Sequence, residues 1–289
     1  MANADDAILA RRVLKGQLRE ARTAAGLTRE DAADALVWSL SKLLRIEAGD
    51  QGVSITDLRA MMGLYGVTDA VSVQHLTGLA RNSRRPAWWS GYRFVISKAF
   101  SQLLGFESVA SAVRTFHPLL FPGVLHTAEY AYALLRTTKT EEAAQTLVRL
   151  RMERQERLLN QDSPPKMTFV FAEEAFNRLI GGPDVMRGQL RYLLSLADHP
   201  MVTLQVVPLS ANEHSGLSGP FNLLDIEETD EVLLFLESAA GDIASRDQEM
   251  IKRFIDNFEK LRGFALSASE TRELINQRLE LLEQSGAPS

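Results

Sequence analysis

The sequence predicts an all-α N-terminal domain followed by an α+β C-terminal domain with a mixed sheet of about five short strands. In the first 80 residues, apolar side chains recur at helical spacing between tight connections. After residue 93, short apolar and often β-branched runs alternate with helical patterns, as strands and helices do in α+β domains. The predicted helices of this part lie at about 127–137, 140–160, 173–180, 184–198 and 246–265, with a last one from about 269. The 289 residues also exceed the usual size of a single core. We expect one domain at 1–80, a linker at 81–93 and a second domain at 94–289.

The composition is that of an ordinary globular protein, with 45% hydrophobic and 24% charged residues. The chain contains 0 cysteines, which excludes disulfides, thiolate nucleophiles and thiolate metal sites. The five histidines show no metal-ligand spacing, so neither a metal nor a cofactor is expected. No apolar run approaches the roughly 18 residues of a membrane span, and the start lacks a signal-peptide core. We therefore expect a cytoplasmic protein with no membrane partner.

Five short helices are expected in the N-terminal domain. The first has small and apolar residues on one face and ends at Gly26, since glycine commonly follows a helix C-terminus. The second opens at Thr28 and the third at Ser39, and both residue types cap helix N-termini well. The fourth starts near Ser54 and the fifth follows Asp69. Tight connections therefore separate all five helices.

The second and third helices, at 28–36 and 39–48, form the pattern of a helix-turn-helix. In that motif the later helix enters the DNA major groove through its N-terminal half. Arg45 is expected to bind guanine with two hydrogen bonds, and exposed leucines to pack on thymine methyl groups. Arg29 and Lys42, near helix starts, suit phosphate contacts. The predicted DNA-binding residues are Arg29, Ser39, Leu40, Ser41, Lys42, Leu44 and Arg45.

Residues 18–49, "LREARTAAGLTREDAADALVWSLSKLLRIEAG", resemble the Cro/repressor-type (XRE) helix-turn-helix family. The resemblance implies a buried ion pair between Arg22 and Glu47. Three features depart from the family pattern and leave the DNA sequence open. Val37-Trp38 replaces the usual Gly-Val of the turn, Arg29 stands where Gln is frequent, and Leu44 stands where Ser is frequent. The family positions that this chain matches are Ser39, Leu43, Arg45, Ile46, Glu47 and Gly49.

The remainder resembles a group of actinobacterial XRE regulators whose C-terminal domain has no assigned function. The resemblance rests on ordered blocks such as "PAWWSGY", "FPGVLHTAEYAYALL", "RMERQERLL" and "VTLQVVPLSANEHSGLSGPFNLLDI", and it spans nearly the whole chain. His126 stands where that group usually has Gln. Such regulators resemble the antitoxin-like members of gene pairs whose neighbour encodes a very small protein. The resemblance therefore implies a small protein partner.

A candidate effector or partner site is expected in the C-terminal domain. Several of its residues also have a plainer interpretation. Arg151 and Gln155 lie four apart on one helical face, which a solvated helix also explains. His214 falls in a loop of hairpin type. Glu174 and Glu237 lie at strand ends, where a pair of carboxylates can do acid–base chemistry but where ordinary surface acids are commoner. The candidate residues are His126, Tyr130, Arg151, Gln155, Glu174, His214 and Glu237.

The leading hypothesis is a non-enzymatic, sequence-specific transcription regulator that binds double-stranded operator DNA as a homodimer. Its C-terminal domain would sense a small partner protein or a small molecule. A cytoplasmic hydrolase or transferase is an alternative, although no nucleophile, base and orienting group stand at recognisable spacing. An interaction adaptor without DNA binding is another. The 12 Lys/Arg and 10 Asp/Glu of residues 1–85 give that segment a net charge of only +2, which keeps the adaptor open.

Overall fold

The computed structural model describes residues 5–284, without 50, 51, 85, 162, 212, 213, 228, 229 and 239. The chain divides into two compact units, Met1–Ser90 and Gly91–Ser289. The first unit is helical, and the second is α+β with a mixed sheet, so the predicted fold class is confirmed. None of the described helices combines the length and apolar character that crossing a membrane requires.

The described residues of the first unit form five helices, as the capping and apolar patterns predict. They are α1 (Asp5–Ala24), α2 (Arg29–Ala35), α3 (Leu40–Ala48), α4 (Ile55–Tyr65) and α5 (Ala70–Asn82). Their apolar faces share one core, which includes Leu14, Leu18, Leu43, Ile46, Leu58 and Met61. The segment expected as a linker begins inside the last turn of α5, and a short 3₁₀ helix occupies Trp88–Tyr92.

Side-chain caps and left-handed residues mark helix ends of this unit. Thr28 and Asp31 form a capping box at the start of α2, and the Ser39 side chain accepts the Lys42 amide at the start of α3. Beyond α1, α3 and α4 the chain turns through glycines in the left-handed region, at φ 74°, 75° and 73°. Beyond α2 it turns instead through Val37, at φ 56°.

The second unit contains one six-stranded sheet. The strands are β1 (Ala112–His117), β2 (Lys166–Ala172), β3 (Val202–Val207), β4 (Phe221–Ile226), β5 (Glu231–Leu236) and β6 (Ile243–Ser245). Their order across the sheet is β3-β2-β1-β4-β5-β6. Strands β1, β2 and β3 are parallel, whereas β4, β5 and β6 pair antiparallel with their neighbours. Strand β6 was not predicted, since it has three residues and little burial.

In the part of this unit that the structure describes, six α-helices accompany the sheet. They are α6 (Lys98–Glu107), α7 (Ala128–Leu135), α8 (Glu141–Asn160), α9 (Pro183–Leu196), α10 (Gln248–Phe264) and α11 (Ala268–Gln284). Helix α6 was not predicted. The helix predicted at 173–180 is wrong, because only a short 3₁₀ helix forms at Glu173–Phe176. Its apolar residues, Ala175 and Phe176, pack in the core directly after β2 instead of lining a longer helix.

Both faces of the sheet are covered. On one face Val170 and Leu223 pack against Phe258 of α10. On the other, Phe169 packs in a larger core with residues of α9 and α11. The outer side of β3 meets the connection between α10 and α11: the Val206 amide donates to Thr271 Oγ1 at 3.1 Å, and the Val206 carbonyl accepts from the Leu266 amide at 2.8 Å.

Candidate nucleic-acid interface and a polar cluster in the second unit

Helix α3 is held in the first unit by one face and leaves the other free. Leu43 and Ile46 are buried in the helical core. Leu40 and Leu44, four residues apart, are 37% and 40% exposed. Two exposed leucines on one face are not explained by burial within this chain. The structure therefore places the predicted apolar DNA-contacting residues on the outside of α3.

Arg45 lies on the exposed part of α3. Its Nε donates to the Ser41 carbonyl of the preceding helical turn at 3.3 Å. Among the described residues Arg45 makes no ion pair. The two terminal nitrogens of its guanidinium are therefore available to an acceptor outside the chain, as a bidentate contact to guanine requires.

Glu47, at the other end of α3, binds two arginines. Its carboxylate accepts from Arg22 Nε of α1 at 2.7 Å and from Arg29 Nε of α2 at 2.9 Å. The Glu47 side chain is 2% exposed. Arg22 also donates to the Leu27 carbonyl at 2.6 Å, and its hydrogen bond to Glu47 raises the pKa of its guanidinium. One buried carboxylate therefore joins the first three helices.

The structure gives Arg29 and Lys42, both predicted phosphate ligands, partners within the chain. The Arg29 side chain remains 42% exposed beside Glu47. Lys42 Nζ donates to Asp57 Oδ1 of α4 at 2.8 Å and lies 3.7 Å from the Trp38 ring centroid. Although burial acts to raise it, the pKa of Asp57 is lowered, because Lys42 and Ser54 donate to its carboxylate. The spacing of these residues in the sequence did not reveal either ion pair.

In the second unit, two glutamines fix the loop between β1 and α7. Gln155 Nε2 of α8 donates to the Val124 carbonyl at 2.6 Å and to the His126 carbonyl at 3.1 Å. Gln189 of α9 donates to the Leu125 carbonyl at 2.6 Å and accepts the Thr127 amide at 2.8 Å. This loop is therefore anchored from two helices, and the role of Gln189 was not predicted.

The anchored loop carries a neutral histidine. His126 is buried, and its Nε2 lies 2.8 Å from the Phe121 carbonyl while its Nδ1 lies 3.0 Å from Arg151 Nη1. Because a carbonyl can only accept and a guanidinium can only donate, Nε2 carries the proton and Nδ1 accepts. Burial and the charge of Arg151 hold the pKa of His126 well below its usual value. The Tyr130 ring packs 4.6 Å from the His126 ring.

A second histidine, His117, lies at the end of β1 in the same environment. Its Nδ1 accepts the Leu120 amide at 3.1 Å. Burial, followed by the charge of Arg151, lowers the pKa of His117 to about 4. His117 was not among the predicted site residues, since a lone histidine at a strand end carries no distinctive sequence signal.

Arg151 is the cation around which these groups gather. Burial and the neighbouring charge of Arg154 lower its pKa to about 10. Arg154 is paired with the buried Glu107 at 2.5 and 2.7 Å, but within the described chain Arg151 makes no ion pair. Glu237 acts on Arg151 through its charge and accepts from Asn222 Nδ2 at 3.4 Å. Among the described residues Arg151 thus has only a neutral hydrogen-bond partner.

Two predicted residues of this site show no link to Arg151. Glu174 lies in the 3₁₀ helix after β2, and its neighbour Glu173 instead binds Arg278 at 2.7 Å and the Leu209 amide at 2.9 Å. The His214 ring packs edge-on against Phe116, with centroids 6.0 Å apart. In the described part of the chain, neither Glu174 nor His214 forms a hydrogen bond or ion pair with the polar cluster of His117, His126 and Arg151. Asn212 and Glu213 of the predicted loop lie outside the described residues.

Among the residues that the structure describes, no group of three or more His, Asp and Glu side chains is arranged so that it could hold a metal ion. The short α2, the turn and the externally exposed α3 define the first unit as a helix-turn-helix domain, the class found in DNA-binding regulators. Residues 14–76 match a family model described as a helix-turn-helix domain.

The second unit shows to which protein family the chain belongs. Residues 100–277 match the model of a domain of unknown function, DUF5753. Because this match covers more than half of the chain, the protein belongs to the DUF5753 family. Comparison with curated proteins gave no match, and comparison with solved structures gave none.

Proposed function

We propose that this protein is a sequence-specific transcription regulator of the XRE type that binds double-stranded operator DNA through α3. The observation that carries the proposal is the outer face of that helix. There the terminal nitrogens of Arg45 are unpaired among the described residues, and Leu40 and Leu44 are exposed beside them. A guanidinium reads guanine, and apolar side chains read thymine methyl groups.

The other polar residues of the motif are proposed to set the position of α3 on the duplex. The hydroxyls of Ser39 and Ser41 lie at the N-terminal end of α3, where that helix enters the groove. Arg29 and Lys42 are proposed to contact phosphates, which fix register without reading sequence. The bond of Arg29 to Glu47 supports this role, because it holds a half-exposed guanidinium in one direction.

We further propose that the regulator acts as a homodimer. A single helix-turn-helix buries little DNA surface, and joining two of them makes the second binding event intramolecular. The half-sites would lie about one helical turn apart.

The C-terminal unit is proposed to sense a small partner protein or a small molecule, as in antitoxin-like regulators. The resemblance stated above favours a very small protein encoded by a neighbouring gene. The supporting contacts are those of Arg151, a guanidinium with a lowered pKa and only a neutral partner among the described residues. An acidic group of a partner would pair with that charge. The proposed site comprises His126, Tyr130, Arg151, Gln155, Glu174, His214 and Glu237.

Selection from a pool of random DNA duplexes by the full-length protein at low salt tests the regulator proposal. We expect a short consensus to be enriched, and the Arg45→Ala variant to bind it more weakly by about 1–3 kcal/mol with relaxed preference at one base pair. Arg19→Ala is the matched control, because Arg19 is an exposed arginine of α1 in the same unit. If the wild-type protein enriches no duplex, the proposed function is wrong.

A further inference from the structure

The turn between α2 and α3 contains a strained and exposed valine. Val37 has φ 56°, in the left-handed region that β-branched residues rarely adopt. The Val37 amide donates to the Asp34 carbonyl at 3.0 Å, and the Trp38 amide donates to the Ala33 carbonyl at 2.9 Å. These two bonds form a Schellman motif, whose left-handed position is usually glycine. Val37 is 92% exposed as a residue, so burial within the chain does not offset the strain.

The same unit shows that folding alone does not require valine at such a position. The chain turns past the ends of α1, α3 and α4 through Gly26, Gly49 and Gly66, all between φ 73° and 75°. Among the described residues of this unit, Val37 is the one non-glycine residue with positive φ. The helix end that carries valine is also the one that leads directly into α3. Strain of this kind is typical of binding sites, where a partner makes use of the side chain.

We propose that Val37 is a DNA-contacting residue whose side chain packs against the 5-methyl group of a thymine in the operator. This inference rests on the proposed function. Val37 comes three residues before Leu40, and the N-terminal half of α3 is the part that a helix-turn-helix inserts into the major groove. The thymine methyl is the apolar group exposed in that groove, and apolar side chains read it by contact.

The mixture of apolar and polar side chains between Val37 and Arg45 favours DNA over an apolar protein surface as the binding partner. The exposed apolar residues Val37, Leu40 and Leu44 alternate along the chain with the polar Ser39, Ser41 and Arg45. A duplex groove offers methyl groups among hydrogen-bonding base edges and phosphates, and therefore matches such a mixed surface. Val37 thus supplies an apolar contact to the DNA in addition to the hydrogen bonds proposed for the Arg45 guanidinium.

The test combines one substitution in the protein with one atom group removed from the DNA. The operator selected by the wild-type protein is resynthesised with each thymidine replaced in turn by deoxyuridine, which lacks only the methyl group. We expect wild-type affinity to fall about three- to fivefold at the thymidine that Val37 contacts, the equivalent of one buried methyl group, and also to fall at any thymidine that Leu40 or Leu44 contacts. The Val37→Gly variant should bind the unmodified operator weaker by a similar factor and show no further loss with deoxyuridine at that position.

Stability measurements separate loss of contact from loss of fold. All three tryptophans, Trp38, Trp88 and Trp89, lie in the first unit, so their fluorescence in the full-length protein follows its melting. Because glycine relieves the strain, Val37→Gly should raise the melting temperature by about 2–5 °C. Val37→Asn should behave in the same way, since Asn tolerates left-handed backbone. Val71→Ala, which shortens another exposed valine of this unit, should leave DNA affinity unchanged.

Three results would overturn the inference: a Val37→Gly variant that binds the operator as tightly as wild type, a wild-type protein insensitive to every deoxyuridine, or an equal loss in Val71→Ala. Failure of the proposed function looks different, because the wild-type protein would then select no duplex at all. An apolar protein partner at Val37 would appear as unchanged DNA binding by the variant, and this result also overturns the inference.

Discussion

Glu47 shows how one side chain can determine the stability of a small helical unit. Its buried carboxylate accepts from Arg22 and Arg29, which belong to two other helices. Removing one partner of a buried ion pair leaves the remaining charge without compensation. We expect Glu47→Ala to lower the free energy of unfolding of the first unit by about 3–5 kcal/mol, measured by denaturant unfolding with tryptophan fluorescence.

Glu30→Ala provides the control for that measurement. Glu30 is an exposed acid of the first turn of α2, and we expect its removal to change stability by about 0.5 kcal/mol or less. Unfolding of Glu47→Ala at the wild-type denaturant concentration would show that the shared carboxylate is not important for stability.

For single side chains, the sequence pattern predicted which residues of α3 face outward better than it predicted the ion-pair partners of the charged residues. Leu40, Leu44 and Arg45 are exposed because the buried Leu43 and Ile46 fix the rotation of the helix. The bonds of Arg29 to Glu47 and of Lys42 to Asp57 join residues 18 and 15 positions apart. Helical periodicity cannot reveal such contacts, because they depend on how separate helices pack.

At the scale of single elements, caps and glycines predicted the five helices of the first unit well. The elements of the second unit that were not predicted, or were predicted wrongly, have a shared cause. The three-residue β6 is too short for an alternating pattern, and α6 lies next to the predicted linker. At Glu173–Phe176 the apolar residues of a predicted helix are used to fill the core after β2. Local pattern cannot distinguish these cases from regular elements.

The end of β1 and the loop before α7 give the second unit a specific pH response. His117, with its pKa lowered to about 4, stays neutral in the folded state, whereas the unfolded chain binds its proton near the usual 6.5. Between these values the unfolded state holds more protons, so stability falls as the pH drops from 6.5 to 4. The buried His126 shifts in the same direction. We expect a loss of about 3 kcal/mol from His117 over this pH range.

Hydrogen exchange of amides in β1, β2 and β3, followed by mass spectrometry at several pH values, would measure this response. His117→Asn is the informative variant, because the Asn side-chain oxygen can still accept the Leu120 amide but does not titrate. Its stability should depend less steeply on pH than that of the wild type. An identical slope would mean that His117 does not contribute.

At the scale of the whole molecule, the proposed homodimer makes a prediction about DNA. The selected operator should contain two inverted half-sites about 10 base pairs apart, centre to centre. Full-length protein should bind this operator at least about 100-fold more tightly than a duplex with one half-site, because the second contact is intramolecular. Sedimentation of the complex would give its stoichiometry. Equal affinity for both duplexes would indicate that the protein binds DNA as a monomer.

The division into a helical and an α+β unit could be predicted from the change in residue pattern after residue 93. The mixed character of the sheet and about five strands were also predicted, whereas the order of the strands was not. Strand order depends on which distant segments pair, as β1 does with β2 and β4. Likewise, the grouping of His117 and Arg151 needs the sheet and α8 together.

The cover over β3 limits how this unit can recognise another protein. An uncovered strand at the border of a sheet can recruit a foreign chain through its backbone, either as a docking mode or as the start of aggregation. At Val206 both outward backbone groups are already bound by Thr271 and Leu266. A partner therefore cannot add a strand at this point of the sheet. The substitution Thr271→Val would remove the acceptor of the Val206 amide and expose this edge of the sheet to self-association.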